Sequence, residues 1–508
     1  MLQMSKVLRS RDAWKCTTIE CRYKLRESRK TEKRHLKKIA ELKLENRQLK
    51  QLSEDEKKTS IQLNRELESA TLVATKDVPQ LINIKEAEQT RVLCVLLTLH
   101  AVVSYRSVPR ILELFKSRTS YEVSWVPHFT SVINWSLRVG LGLLNQVQTI
   151  AKPWVAIVDH SIDIGTKKVL VVLRVEVDAL SKRGSAVRLE DVECIGLTVS
   201  DKVTGDTIHP ELEEIFARAG NPIAIIKDAD ATLQKGVRLW SDQQENPVPT
   251  IDDIGHTMGN ALKSQFEKMA IYKRFTALVS QGEKCLRQTD LAFMTPPRLR
   301  SKGRFQSIGK LGQWGEKMLN VFAVRGPAKE GSQLDRLRKA FPDFSQSRAF
   351  IVQFASTTGI VSQVMEILKN KGLDRNSYKQ CYELSKGLPR NSKVKKRLQD
   401  WLKKNIKLQK QLMPLPLLVS SDIIESLFGN FKHIIERSPQ ADMNRTVLLI
   451  PALCGKRSGS VVTQALHLAS HVDLEAWEKE HIPYTVRKKR LEFFKERGSQ
   501  NLGNTDVS

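Results

Sequence analysis

Between residues 153 and 228 the chain sets short apolar runs between polar breaks. VAIVDHS, KKVLVVLRVEVDAL, VECIGLTVS and PIAIIKDAD are four strand candidates. The second alternates Val169, Val171, Leu173, Val175 and Val177 against more polar neighbours, the two-residue period of a strand with one buried face. After Asp228 the period lengthens, and ATLQKGVRLW begins a helix. Strand, hairpin, strand, then strand into helix is the ordering of a ribonuclease H-like core, which predicts an α/β fold with a mixed sheet.

The flanking segments read as helix. Residues 1–65 form a charged helical segment in which Ile39, Leu42, Asn46 and Leu49 fall at successive a and d heptad positions, and a buried Asn there favours a two-stranded zipper. Over 85–150, SYRSVPRILELF and HFTSVINWSLRVGLGLL make two amphipathic helices with a short connection. This helix-turn-helix-like DNA-binding domain would present Thr130, Ser131, Asn134 and Arg138 to a major groove. Residues 151–256 are the first part of the core, and 257–415 an all-helical insertion. Residues 416–455 return to the core on a helix carrying Ile424, Leu427, Phe428, Phe431, Ile434 and Ile435 as its apolar stripe. A basic helical region and tail fill 456–508.

Composition narrows the partner. The formal charge is +27 and the pI about 9.8, which point to a polyanion. Nucleic acid is favoured over membrane because the strongest apolar segment, VLCVLLTLHAVV at 92–103, is too short to cross a bilayer of about 30 Å. The seven cysteines are scattered without a CxxC pair, so reduced intracellular thiols are expected and structural zinc is not. No secretory signal opens the sequence.

The candidate chemistry lies at the strand ends. Asp159 and Asp228 each close an apolar run, where side chains leave a sheet for a cleft, and Glu425 stands beside the apolar stripe of its helix with Lys432 two turns on. Three carboxylates suit a pair of Mg²⁺ ions held about 3.5–4 Å apart by hard oxygen ligands for phosphodiester chemistry. Alternatives stand beside each. Asp422-x-x-Glu425 also spells a helix capping box. Asp230 rivals Asp228 or caps the next helix, Asp163 rivals Asp159, and Asp252 or Asp253 would serve if PVPTID were the fourth strand, which its prolines disfavour.

These residues resemble the DDE transposases of insertion sequences. The resemblance rests on the order Asp159, Asp228, Glu425, on Lys432 seven residues after the glutamate, and on Asp253-Ile-Gly-His256. The last looks like the Cys/Asp-x-x-His element of several transposase superfamilies, including the hAT group with its helical insertion. It covers about 150–440. It implies Asp159, Asp228 and Glu425 as metal ligands for two Mg²⁺, with Mn²⁺ able to substitute, and His256 as a catalytic-site contact to a ligand or phosphate, where the bland reading is a core or capping histidine. It also implies Lys432 on DNA and Trp314 stacked on an extruded base, with Arg298, Arg300, Lys302, Arg304 and Lys310 tracking the phosphate backbone; for Trp314 the bland reading is a packing anchor. Leu418 and Ser421 stand where one subset keeps Tyr and Arg, so that subset's hairpin chemistry does not carry over.

The resemblance therefore implies an enzyme that binds terminal inverted repeats, hydrolyses a phosphodiester and joins the freed 3′-hydroxyl to target DNA. The expected partners are DNA and further copies of the chain, as a homodimer or larger assembly, with no membrane; the expected location is the cytoplasm of a prokaryote, at the nucleoid. Two other readings remain: a transposase-derived DNA-binding regulator without catalysis, and another ribonuclease H-like nuclease.

Overall fold

The computed structural model describes scattered helical positions from Trp14 to Asn46. From residue 84 to 496 it describes all but 120–122, 124, 161–166, 180–186, 299–304, 306–307, 413–415 and 435–442. Two compact units result, Met1–Ile82 and Asn83–Ser508. In the first, Ile39 and Asn46 of the zipper are helical and exposed, and Leu42 and Leu49 lie outside the described residues.

The second unit is a mixed α/β structure. It opens with α1 (Ile84–Leu99), α2 (Ser107–Arg118) and α3 (Phe129–Asn145), followed by β1 (Trp154–His160), β2 (Lys168–Glu176) and β3 (Val192–Ser200). Then come α4 (Gly205–Ala219), β4 (Ala224–Lys227), α5 (Ala231–Asp242), β5 (Thr250–Asp252) and α6 (Ile254–Phe266). The sheet order is β3-β2-β1-β4-β5. β1, β2 and β3 form an antiparallel meander, and β4 pairs parallel to both β1 and β5. This five-stranded mixed sheet with helices is consistent with a ribonuclease H-like core.

Four strands form where the apolar runs predicted them, with two differences of detail. β2 is buried on both faces, because Leu170 and Val172 are as covered as Val169 and Val171, and Val177 falls beyond its end. The PVPTID segment does supply a strand, but only as the edge strand β5, where a preceding proline leaves no ladder bond unmade.

Alternation along β1 sends its side chains to two cores. Trp154, Ala156 and Val158 pack with Phe216 of α4 and Trp240 of α5. Val155 and Ile157 join the larger core with Val171, Ile226 and the residues of α6. Each such Val, Leu or Ile contributes about 1.5–3 kcal/mol by burial, so a one-residue slip of β1 would forfeit both faces at once.

Beyond α6 the chain runs through α7 (Ala270–Leu286), α8 (Gly309–Val321), α9 (Gln333–Ala340), α10 (Arg348–Lys371), α11 (Arg375–Lys386) and α12 (Lys393–Leu412). The stretch Phe344–Lys371 has the length and apolar composition to cross a membrane, which inspection of the sequence missed. Here its apolar side is used by packing. Gly312 and Gly315 of α8 lie against Ala355, Thr358 and Ile351 of α10, too close for any side chain of their own to fit without displacing that neighbour.

The chain closes with α13 (Asp422–Ile434), α14 (Leu449–Ala452), α15 (Gly459–Leu468), α16 (His471–His481) and α17 (Val486–Glu496). α3 is the middle of a helical layer built with α1, α14, α15 and α16. Val132, Leu137, Val139, Leu141 and Leu144 of α3 are buried, and Gly140 and Gly142 lie directly against the backbone carbonyls of Leu448 and Ala465. This corrects the groove-reading expectation for Asn134 and Arg138. Asn134 Nδ2 lies 2.6 Å from His471 Nδ1, and Arg138 donates from Nε and a terminal nitrogen, both at 2.7 Å, to the carbonyls of Ala469 and Leu466 at the end of α15. A guanidinium that satisfies orphaned helix-end carbonyls is spent on the fold.

Gly142→Ala is expected to lower the urea midpoint substantially. Overpacking in cores typically costs about 1–3 kcal/mol, and here neither backbone can rotate away. Gly359→Ala, which faces open space on α10, is the control and should be neutral or slightly stabilising.

Candidate active site

The parallel pairing of β1 and β4 fixes the centre of the site. The register matches Val158 with Lys227, so Asp159 and Asp228 leave the sheet side by side. By strand parity both point to the face where Ile157 and Ile226 lie. Asp159 is 9% exposed, and its Oδ1 accepts the His160 amide at 2.7 Å. Asp228 Oδ1 accepts the Ala229 amide at 2.5 Å and lies 2.8 Å from His256 Nδ1. Two strand-end carboxylates and one imidazole thus meet.

Their charges are strongly coupled. Burial first, and then the neighbouring Asp228 carboxylate, push Asp159 up to about 6. Burial acts to lower His256, but the hydrogen bond and charge of Asp228, with Asp253 and Asp159 behind it, outweigh that and raise it to about 9. At neutral pH His256 is therefore an imidazolium, paired with Asp228.

Asp253 is the residue whose importance the sequence understated. Fully buried at the head of α6, it accepts the His256 amide at Oδ1 (2.7 Å). Its Oδ2 takes the Ser421 amide (2.6 Å) and hydroxyl (3.1 Å). The Ile254 amide adds a bond to the Val419 carbonyl at 3.1 Å. One carboxylate thereby ties the helix of His256 to the residue that precedes the helix of Glu425. The Asp-x-x-His spacing was the available signal, since an N-cap acid bonds the amide three residues on. The Ser421 half of the link is long-range and left no trace in the spacing.

The other acids have structural duties. Asp230 caps α5 through the Thr232 and Leu233 amides and also meets His160 Nε2 at 3.2 Å. Asp252 pairs with the buried Lys227 at 2.5 Å, with Lys404 at 3.7 Å, and gives its carbonyl to Trp401 Nε1 at 2.9 Å. Asp163 lies outside the described residues. Asp422 is the first residue of α13 and pairs with Lys369, so it is not the cap that the Asp-x-x-Glu reading required.

Glu425 lies on the helix the sequence predicted. It lies exposed on the first turns of α13, whose buried side is Ile423, Ile424, Leu427, Phe428, Phe431 and Ile434. Among the described residues no group of three or more His, Cys, Asp and Glu side chains stands at metal-ligand spacing. The charges acting on Asp159 are those of Asp228, His256 and His160. Lys432 is half-buried on the same helix. Leu418 is buried, and Ser421 serves Asp253. The Trp314 indole donates to the Met294 carbonyl at 3.1 Å and packs on Phe341 and Phe344, an anchor of its helical layer and not an open stacking platform. Arg304, with Arg300 and Lys302, lies outside the described residues.

The donor set nonetheless fits a hard divalent cation. Burial first, and the adjacent Asp228 carboxylate second, raise Asp159, and a dication relieves both more fully than one imidazolium does. Asp159 and Asp228 are the residues that would hold it.

No family model matches the chain, and neither does any curated protein. Among solved structures, the Drosophila P element transposase strand transfer complex aligns over 82% of this chain and 100% of its own chain, with 11% identity and a TM-score of 0.37. A likeness of that size leaves function to the residues themselves.

In chelator, Asp159 contributes stability that is complete below its ordinary 3.8 and fades as pH rises toward 6, while His256 contributes stability that is complete below 6.5 and fades through about 9. Asp159→Asn should therefore stabilise the metal-free protein above pH 6, by up to about 3 kcal/mol at 1.36 kcal/mol per pKa unit, and should have no such effect below pH 4. Urea midpoints across pH in EDTA check this. Asp253→Ala leaves the Ser421 amide and hydroxyl without an acceptor. It should cost about 1–3 kcal/mol and lower the His256 titration midpoint, read by NMR.

Proposed function

We propose that this chain is a divalent-metal-dependent DNA-cleaving and DNA-joining enzyme of the DDE transposase type, acting on the ends of a mobile element and on target DNA. The observation that carries the reading is the in-register Asp159–Asp228 pair, held beside His256 on the open end of the sheet. Asp159 and Asp228 would hold Mg²⁺, or Mn²⁺ in its place. When bound there, the ion supplies charge neutralisation and Lewis-acid polarisation of a phosphodiester.

The chain's own residues orient the site. The His160 and Ala229 amides each bond one oxygen of the carboxylate beside them, which limits how far that side chain can turn. His256 pairs with Asp228 through Nδ1. Asp253 sets the distance between that histidine and the start of α13, which brings Glu425 and Lys432 into the reading as the third carboxylate and a DNA contact. The net charge of +27 supports a polyanionic substrate.

A second reading draws on Glu425 itself. Its exposed position, with no group of three such ligands among the described residues, favours a transposase-derived DNA-binding regulator in which the third ligand is not engaged.

The test is a supercoiled plasmid carrying the DNA that flanks the coding region, incubated with the purified full chain in Mg²⁺ or Mn²⁺. Nicked and joined products are expected. Asp159→Asn and Asp228→Asn should each reduce them at least about a thousandfold, the equivalent of about 4 kcal/mol of transition-state stabilisation. Undiminished nicking by Asp159→Asn sinks the metal assignment. Specific end binding without products in either metal selects the regulator.

A further inference from the structure

α12 is a strongly basic amphipathic helix. KVKKRLQDWLKKNIKLQKQL holds eight basic residues against one acid. Its buried side, Val394, Leu398, Trp401, Leu402, Asn405 and Ile406, packs on α6, the helix that begins with the His256 turn. Lys396, Arg397, Lys403, Lys404, Lys407 and Lys410 are not buried there. At about 100° per residue these six fall within an arc of about 140° opposite the packed side.

A solvated surface of mixed charge would be the ordinary explanation of such a run. Two features go against it. Among the described residues, Lys404 is the one cation of the six in an ion pair with a carboxylate, at 3.7 Å from Asp252, so the face is left positive. The helix is also tied to the site: Trp401 donates to the Asp252 carbonyl, and Asp252 pairs with Lys227, the residue immediately before Asp228. The middle of α12 is thus joined to the strand end that carries the second aspartate.

We propose that the solvent face of α12 is a binding surface for the phosphate backbone of duplex DNA, placing the segment to be cut beside Asp159 and Asp228. Its 20 residues span about 30 Å at 1.5 Å per residue, close to the rise of one turn of B-form DNA. Lysines and an arginine spread over that length suit contacts without sequence preference, so α12 contributes affinity and alignment, not recognition of a particular end. This rests on the phosphodiester-cleaving reading, which it supplies with a path for the substrate.

The experiment compares the full chain with a variant carrying Lys396→Glu, Arg397→Glu, Lys403→Glu and Lys407→Glu. The probe is a fluorescent B-form duplex of arbitrary sequence, titrated in EDTA at several salt concentrations. Each lost phosphate contact lowers the slope of log K against log salt by about 0.9, so a fall of up to about 3.6 and at least a tenfold loss of affinity at low salt are expected. Substitution of the same four positions by Gln guards against misfolding and should give the same direction. An unchanged slope in both variants overturns the proposal, as does binding of anionic vesicles with no binding of duplex. Mn²⁺-induced thermal stabilisation through Asp159 and Asp228 is read in parallel. If it is absent from the wild-type chain while the slope still falls on substitution, the metal reading fails and the DNA surface stands.

Discussion

The structure turns on forcing two like charges together. β1 and β4 run parallel with Val158 opposite Lys227, and the next residue of each strand is an aspartate. Both faces of β1 are buried, so register cannot relax to separate the carboxylates without exposing apolar side chains. Fold energy therefore sustains an electrostatic conflict at the sheet's open end. Burial first, and the neighbouring Asp228 second, push Asp159 up to about 6.

Around that conflict the chain places compensating groups from distant segments. His256 comes from α6 and neutralises Asp228, and Asp253, one turn earlier, secures both the histidine's helix and the approach to α13. Lys227 alternates to the other face and is balanced by Asp252, which in turn receives α12 through Trp401 and Lys404. Few of these bonds are local. They make the sheet end a junction at which α6, α12 and α13 are positioned with respect to one another.

Much of the sheet was legible from apolar runs. Asp159 and Asp228 stood out because a strand end is a local feature, and Asp230 could be read as a cap because N-capping acts over three residues. Three expectations that changed share one cause. Asn134 and Arg138 sit on an amphipathic helix whose polar positions look exposed, yet their partners, His471 and the end of α15, lie more than three hundred positions away. Trp314 looked available until Phe341 and Phe344 closed on it. Glu425 was correctly put beside an apolar stripe, but periodicity fixes only which side of a helix a residue occupies, not what that side faces.

The sequence by itself determined the local periods, hence four strands, the helices around them, the caps and a strongly basic surface, because these depend on propensity and burial within a few residues. Only the tertiary structure decided which acids meet. Parallel pairing joined Asp159 to Asp228 across an intervening meander and helix, and Asp253 joined Ser421 across the whole run from α6 to α12. Such contacts depend on the arrangement of complete elements, and no local pattern encodes the distance between two charges that are far apart in the chain.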